Sequence, residues 1–389
     1  GYLNRTEVLE KCGLVLGNLS FPTRESNHLI LPFYRKVLQK LLREALDHPE
    51  FCLYPFAAEK DCAWENSRIS GLPASIVAQS LGLSSCRFAI DAACASSLYA
   101  VALACNYLAG EKTDLMLAGA VSAADPFFVN MGFSIFQAYP EPDERSNPLD
   151  NNSGGLYASQ GAGMFVLKRL SDAERDGDRI HAVISGAGLS NDGRGQFVLS
   201  PNSKGQILAF ERAYQSTGVD AGQIDYIECH ATGTPLGDKV ELDSMERFFA
   251  AEGPAEKKKT RPLIGSVKSN LGHMLTAAGM GGMTKVILSL QHGKIPSTVG
   301  VLEPMSSNNA GISSNQIVQQ TMAWPHKKSE RRAAVSAFGF GGTNAHIVFE
   351  TEKKRESKSR QKKPPVKSTP QPMAIVGMEA IFGSCNGLH

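Results

Sequence analysis

Phe88-Ala89-Ile90-Asp91-Ala92-Ala93-Cys94-Ala95-Ser96-Ser97-Leu98-Tyr99-Ala100-Val101-Ala102-Leu103-Ala104-Cys105 reads as an apolar strand, a tight turn of small residues and a buried helix. The turn puts a thiol, Cys94, at a helix N-terminus. Unpaired N–H groups and partial positive charge there favour a thiolate and offer donors to an oxyanion. The turn by itself also suits a plainer role, that of a small buried hydrophobe, which most free cysteines have.

The same strand–helix alternation runs outward to about Thr351. Strands are expected over Cys12–Leu16, Leu115–Ala118, Met164–Leu167, Ala182–Ser185, Tyr226–Cys229, Leu263–Gly265, Ala333–Ala337 and Ala345–Phe349. Helices are expected over Phe33–Leu46, Ser97–Leu108, Lys204–Tyr214, Val240–Phe249 and Ala277–Leu290. Near-continuous apolar strands alternating with helices predict an α/β protein whose sheets are covered on both faces.

The chain has 389 residues, enough for one large core or two medium ones, and no apolar run long enough to span a bilayer. Its eight cysteines show no Cys-x-x-Cys spacing, so neither a zinc knuckle nor a disulfide framework is expected, and a reducing, cytoplasmic setting is. The net charge of +2 conceals an asymmetry: residues 353–372 hold eight Lys or Arg against Glu356, leaving −5 elsewhere. That stretch contains four prolines and no aromatic residue, which fits a solvated linker rather than a nucleic-acid surface. After it, Met373-Ala374-Ile375-Val376-Gly377-Met378 reads as an apolar strand opening a new unit.

Two further segments set a histidine in a small-residue turn after an apolar strand. One is Tyr226-Ile227-Glu228-Cys229-His230-Ala231-Thr232-Gly233-Thr234-Pro235; the other is Ile264-Gly265-Ser266-Val267-Lys268-Ser269-Asn270-Leu271-Gly272-His273, followed by Ala277-Ala278-Gly279. A glycine-rich turn, Gly339-Phe340-Gly341-Gly342-Thr343-Asn344-Ala345-His346, lies between two strands and lacks the following helix that a phosphate loop requires. A lone histidine after a strand is usually structural, and His28, His48, His181, His292, His326 and His346 are read that way. Met280, Met283 and Met322 read as core. Asp150-x-Asn152-x-Gly154 is not a calcium loop, because Gly161 stands where the closing Glu belongs.

With these four motifs in order, the chain closely resembles the β-ketoacyl synthases, the Cys-His-His condensing enzymes of fatty-acid and polyketide assembly. The resemblance runs from about Cys12 to Phe349. Within the family, Met116–Tyr139 and Leu189–Asn202 look most like polyunsaturated fatty acid synthases. It implies a thiolase-like, five-layer αβαβα fold of two similar α/β halves, the N-terminal half ending near residue 165, with the family's earliest N-terminal elements missing. The expected organisation is a ketosynthase over 1–350, a linker over 351–372, and the start of a chain-length-factor-like domain over 373–389.

The implied reaction is decarboxylative Claisen condensation of an acyl thioester on Cys94 with malonyl-carrier protein. By resemblance, His230 and His273 stabilise the enolate as neutral N–H donors, and Lys268 supports their network. The N–H groups of Cys94 and Phe340 form the oxyanion hole, with Phe340 also the gate. Thr232, Thr234, Gly341 and Gly342 meet the phosphopantetheine arm of a partner acyl carrier protein. The domain itself is expected to hold no cofactor or metal, and to act as a homodimer or as a pseudodimer with an adjacent ketosynthase-like domain. The family's acidic Gly-Glu-Gly turn is replaced by Ser159-Gln160-Gly161-Ala162-Gly163, which predicts a local change in hydrogen bonding. Two other readings make different demands. A non-condensing chain-length-factor-like partner would typically lack the cysteine, and a papain-like hydrolase would use one His oriented by Asn or Asp.

Overall fold

The computed structural model describes residues 5–19, 24–53, 70–123, 126–194, 200–251 and 261–352, together with 374, 376, 381–382 and 385–386. The chain divides into two units, Gly1–Glu352 and Lys353–His389. In the second, Ile381–Phe382 pairs antiparallel with Cys385–Asn386. The basic linker lies outside the described residues, as does the Met373–Met378 strand apart from Ala374 and Val376.

In the first unit, the N-terminal half runs α1 (Thr6–Glu10), β1 (Cys12–Asn18), α2 (Arg24–Ala45), α3 (Leu72–Leu81), β2 (Arg87–Ile90), α4 (Ser96–Ala109), β3 (Leu115–Ser122), α5 (Pro126–Ile135) and β4 (Gly161–Leu167). Its sheet has the order β2-β1-β3-β4, with β4 antiparallel at one edge. The C-terminal half runs α6 (Leu170–Asp176), β5 (Val183–Asn191), α7 (Ser203–Thr217), β6 (Tyr226–Glu228), α8 (Pro235–Ala251), β7 (Leu263–Gly265), α9 (Lys268–Leu271), α10 (Ala278–His292), β8 (Lys294–Ile295), β9 (Met322–Ala323), β10 (Arg332–Gly339) and β11 (Thr343–Glu350). Its sheet has the order β5-β11-β10-β6-β7, with β10, β6 and β7 mutually parallel.

Side-chain alternation builds the layers. In β1, Val15 faces a core shared by both sheets, while Cys12, Leu14 and Leu16 face a second core beneath α3. In β10 and β11, Ala333, Val335, Ala337, Ala345, Ile347 and Phe349 face the shared core, and Ala334 and Val348 face a third core with α7 and α8. Both sheets are thus covered on both faces, and their strands are apolar almost throughout. Helices α4 and α10 lie together between the sheets, giving the sequence α3, sheet, α4–α10, sheet, α7–α8. This is the five-layer αβαβα arrangement. The two central helices approach at Gly279, where a Cβ would stand 2.1 Å from Leu98 Cδ1. That small residue lets α4, which follows Cys94, sit against α10, which follows His273.

Two boundaries differ informatively from the sequence reading. α8 begins at Pro235 rather than Val240, because proline in a first helical turn gives up only an N–H with no intrahelical partner. β5 continues to Asn191, since Gly186 and Gly188 let α7 pack directly on the strand: a Cβ on Gly188 would meet Ala209 O at 2.0 Å.

Candidate active site

Four strands converge on one cavity of about 370 Å³, lined by Cys94, His230, Thr232, Thr234, His273, Phe340 and Gly342 among others. β2 leads to Cys94. The parallel strands β6, β7 and β10 lead from their C-terminal ends to His230, to Lys268 and His273, and to Phe340. Parallel neighbours must release their chains at one edge, so residues far apart in sequence meet there.

At the Cys94 turn, Asp91 Oδ1 accepts from the Ala93 N–H at 3.0 Å, and Ser96 Oγ accepts from the Ala92 N–H at 2.8 Å. Ala93 takes a φ of +48°, a left-handed conformation that alanine adopts at a cost. These bonds hold the sharp bend that tips the sulfur over the start of α4. The Ala95 and Ser96 N–H groups donate to Ala92 O and Ala93 O within the turn, which leaves the Cys94 N–H as the one directed at the site. The backbone N–H groups of Phe340 and Cys94 both reach the sulfur.

Cys94 Sγ lies 2.9 Å from His273 Nε2, and the His230 and His273 rings stand nearly perpendicular with centroids 5.5 Å apart. One ligand atom from each of the three residues falls within 4.8 Å of the others. Burial, reinforced by positively charged Lys268, pushes the His273 pKa down to about 3 and that of His230 well below its usual value. Both rings are therefore neutral at physiological pH. The helix N-terminus had suggested a thiolate, but the structure corrects this. Burial raises the Cys94 pKa to about 11, outweighing Lys268 and the two N–H groups. The resting sulfur is a thiol.

Sequence reasoning missed the groups that hold these turns. On α8, Glu241 accepts from the His230 and Ala231 N–H groups, each at 2.8 Å, and Asp238 accepts from Thr232 and Leu149 at 2.9 Å each. Glu228 accepts from the Val267 N–H and the Tyr226 hydroxyl and forms a buried ion pair with Lys285 at 2.9 Å. Lys268 faces all three carboxylates, and its own pKa is lowered by burial, which they oppose. Acids three residues apart in the first turns of a helix after a histidine turn were the available signal.

The Thr232 and Thr234 hydroxyls lie 3.0 Å apart at the cavity wall. Phe340 is 39% exposed and packs on Phe133 with ring centroids 5.9 Å apart. Gly341 and Gly342 adopt φ of +86° and +82°, but only Gly342 lines the cavity; Gly341 does not. At the substituted turn, Gln160 is exposed and the backbone does the holding: His273 N–H donates to Tyr157 O at 2.6 Å and Ser159 N–H to His273 O at 2.9 Å.

Comparison with known proteins places the chain among relatives. Residues 56–173 match the family described as β-ketoacyl synthase, N-terminal domain, and residues 181–302 match its C-terminal domain. Residues 311–381 match the ketoacyl-synthetase C-terminal extension. One of the polyunsaturated fatty acid synthase polypeptides of Thraustochytrium sp. is 38% identical over 97% of this chain, which spans 18% of that relative. A phenolphthiocerol/phthiocerol polyketide synthase polypeptide of Mycobacterium tuberculosis is 38% identical over 74% of the chain, which spans 15% of it. Among solved structures, the PfaC keto synthase–chain length factor superposes with a TM-score of 0.86 at 53% identity, covering 100% of this chain and 40% of that one. The ketosynthase from module 6 of the bacillaene synthase of Bacillus subtilis 168 gives 0.72 at 30% identity, covering 90% of this chain and 56% of that one. With these relatives and a thiolase-like fold around a Cys-His-His cavity, the chain belongs to the β-ketoacyl synthase family of condensing acyltransferases.

Proposed function

We propose that Cys94, His230 and His273 perform a decarboxylative condensation in a synthase of the polyunsaturated fatty acid type, on thioesters delivered by an acyl carrier protein. The observation that carries this reading is the thiol 2.9 Å from one of two neutral imidazoles in a single cluster lining the cavity.

In the first half-reaction Cys94 Sγ attacks the acyl carbonyl and its proton goes to the departing carrier thiolate, so that His273 keeps its Nε2–H for the second half-reaction. The burial that raises the thiol pKa makes this transfer concerted with attack rather than prior to it. Charge developing on the carbonyl oxygen is met by the N–H groups of Cys94 and Phe340. In the second half-reaction the malonyl thioester loses CO2, and the enolate oxygen accepts N–H bonds from His230 and His273. The enolate carbon then attacks the acyl–Cys94 carbonyl, forming the carbon–carbon bond and releasing the Cys94 thiolate, which takes a proton from solvent to restore the thiol. Lys268 supplies a fixed positive field that keeps both rings neutral and stabilises each anion in turn.

The paired Thr232 and Thr234 hydroxyls suit the amide-rich phosphopantetheine arm that brings in both substrates, so the chain needs no resident cofactor. Gly342 leaves room beside that arm. Phe340, half-exposed at the mouth, is the candidate gate. A homodimer, or a pairing with an adjacent ketosynthase-like domain, goes with this reading. Among the described residues no helix is long and apolar enough to cross a membrane. Cys94 also separates the reading from that of a non-condensing partner.

The test combines stoichiometric labelling by a cysteine-directed condensation inhibitor with malonyl decarboxylation. Each of His230→Ala and His273→Ala should lower decarboxylation by roughly 10²–10³-fold, the usual cost of an oxyanion donor. Undiminished decarboxylation after both replacements would overturn the assignment.

A further inference from the structure

We propose that the Cys94–His230–His273 cluster also binds a thiophilic divalent metal ion, Zn²⁺ being the physiological candidate, as a reversible inhibitor that excludes the acyl group. The inference rests on the cluster's geometry and not on the condensation chemistry.

A thiol and two imidazoles are the ligand set that zinc prefers, and oxygen-seeking ions such as Mg²⁺ or Ca²⁺ have no carboxylate here to attract them. Zn–S bonds of about 2.3 Å and Zn–N bonds of about 2.0–2.1 Å put tetrahedral ligand atoms roughly 3.4–3.6 Å apart. The three atoms here lie within 4.8 Å of one another, and the Cys94–His273 separation is 2.9 Å. The required adjustment is therefore a change of at most about 1.4 Å in any pair's separation, within reach of side-chain rotation. The Nδ1 atoms of both His230 and His273 are buried without a hydrogen-bond partner, so no protein acceptor opposes reorientation of either ring. All three residues line the cavity, from which water would complete the shell. Charge is the opposing factor, because Lys268 faces the same cluster, but Glu228 and Asp238 face Lys268 in turn.

In the binding step one Zn–S bond forms, the Cys94 S–H bond breaks, and the proton leaves to solvent with no change of oxidation state. A bound ion removes the nucleophile and both donor rings together. Conversely, an acyl group on Cys94 leaves a neutral thioester sulfur that is a poor ligand. Acyl and metal should compete for the one sulfur.

Co²⁺ serves as the spectroscopic probe, added to the full chain in chelator-free buffer and then displaced with Zn²⁺. The expected result is one ion per chain with thiolate-to-cobalt charge-transfer absorption. The band should be absent in Cys94→Ser and in protein acylated at Cys94. Affinity should fall in His230→Ala by more than the roughly tenfold that losing a mere supporting partner gives. Acylated wild-type protein keeps the test independent of whether the variants fold. No charge-transfer band, or one that persists after Cys94 is acylated, overturns the proposal. A chain that condenses normally yet binds no cobalt refutes the metal site alone. One that binds cobalt but never condenses refutes the condensing role alone.

Discussion

Gly339→Ala is the sharpest probe of how the two halves are joined at the site. Gly339 ends β10 just before Phe340, and a Cβ there would lie 2.6 Å from Ala92 O, 2.3 Å from Thr343 Oγ1 and 3.1 Å from Ala93 Cβ. The carbonyl is backbone and cannot rotate away. The contact is about 0.8–1 Å short of ordinary van der Waals distance, so the Phe340 turn must move off the Cys94 turn by about that much. The same shift breaks the bond from Thr343 Oγ1 to Ala92 O, now 2.8 Å. Overpacking of this kind costs about 1–3 kcal/mol of stability. Separating the Phe340 and Cys94 N–H groups by nearly an ångström should slow acylation about 100-fold. The assay is single-turnover acylation of Cys94 by an acyl thioester, followed by intact-protein mass spectrometry. Alkylation by a small haloacetamide, which needs no oxyanion hole, serves as the control and should change less than about tenfold. Acylation within about threefold of wild type, in folded protein, would refute the claim that the two turns act as one oxyanion hole.

Other consequences follow from the buried charges. With the Cys94 pKa near 11, alkylation of the free enzyme should rise about tenfold per pH unit from pH 7 to 9 without a plateau, and a plateau near pH 7 would contradict the thiol ground state. Glu241 keeps its proton to about pH 8 when folded, against 4.5 in its unperturbed state, because of burial. In that window the folded chain binds more protons than the unfolded one. The stability that Glu241 contributes is thus present at pH 4 and lost as pH rises toward 8, at up to about 1.4 kcal/mol per unit, and urea melts of Glu241→Gln should show a shallower decline. The same variant loses one acceptor for the His230 turn, so decarboxylation should fall while Cys94 acylation is spared; equal losses in both would make Glu241 merely structural. Lys285→Met strands Glu228 without its buried ion partner and should cost about 3–5 kcal/mol in chemical denaturation, with a loss under about 1 kcal/mol showing that the pair is dispensable.

The local chemistry was legible wherever one segment contains its own cause. Apolar runs marked the buried strands, small residues marked the turns, and the thiol at the strand–helix bend was visible in Asp91–Ser97. The order of the four motifs carried the family, and with it the layered fold. What the linear chain could not contain was anything depending on the meeting of distant segments. The neutral state of His230 and His273 comes from burial beside Lys268, and the high pKa of Cys94 from burial that outweighs Lys268; a helix terminus considered alone gives the wrong sign for the sulfur. Asp238, Glu241 and Glu228 read as ordinary helix-start and strand-end acids, because the acceptor roles of the first two exist only once α8 folds under the His230 turn, and that of Glu228 only once the Val267 turn meets it. Sequence determines which groups can be polarised; the tertiary structure decides their charge, since desolvation and the nearest charge act through space and not along the backbone.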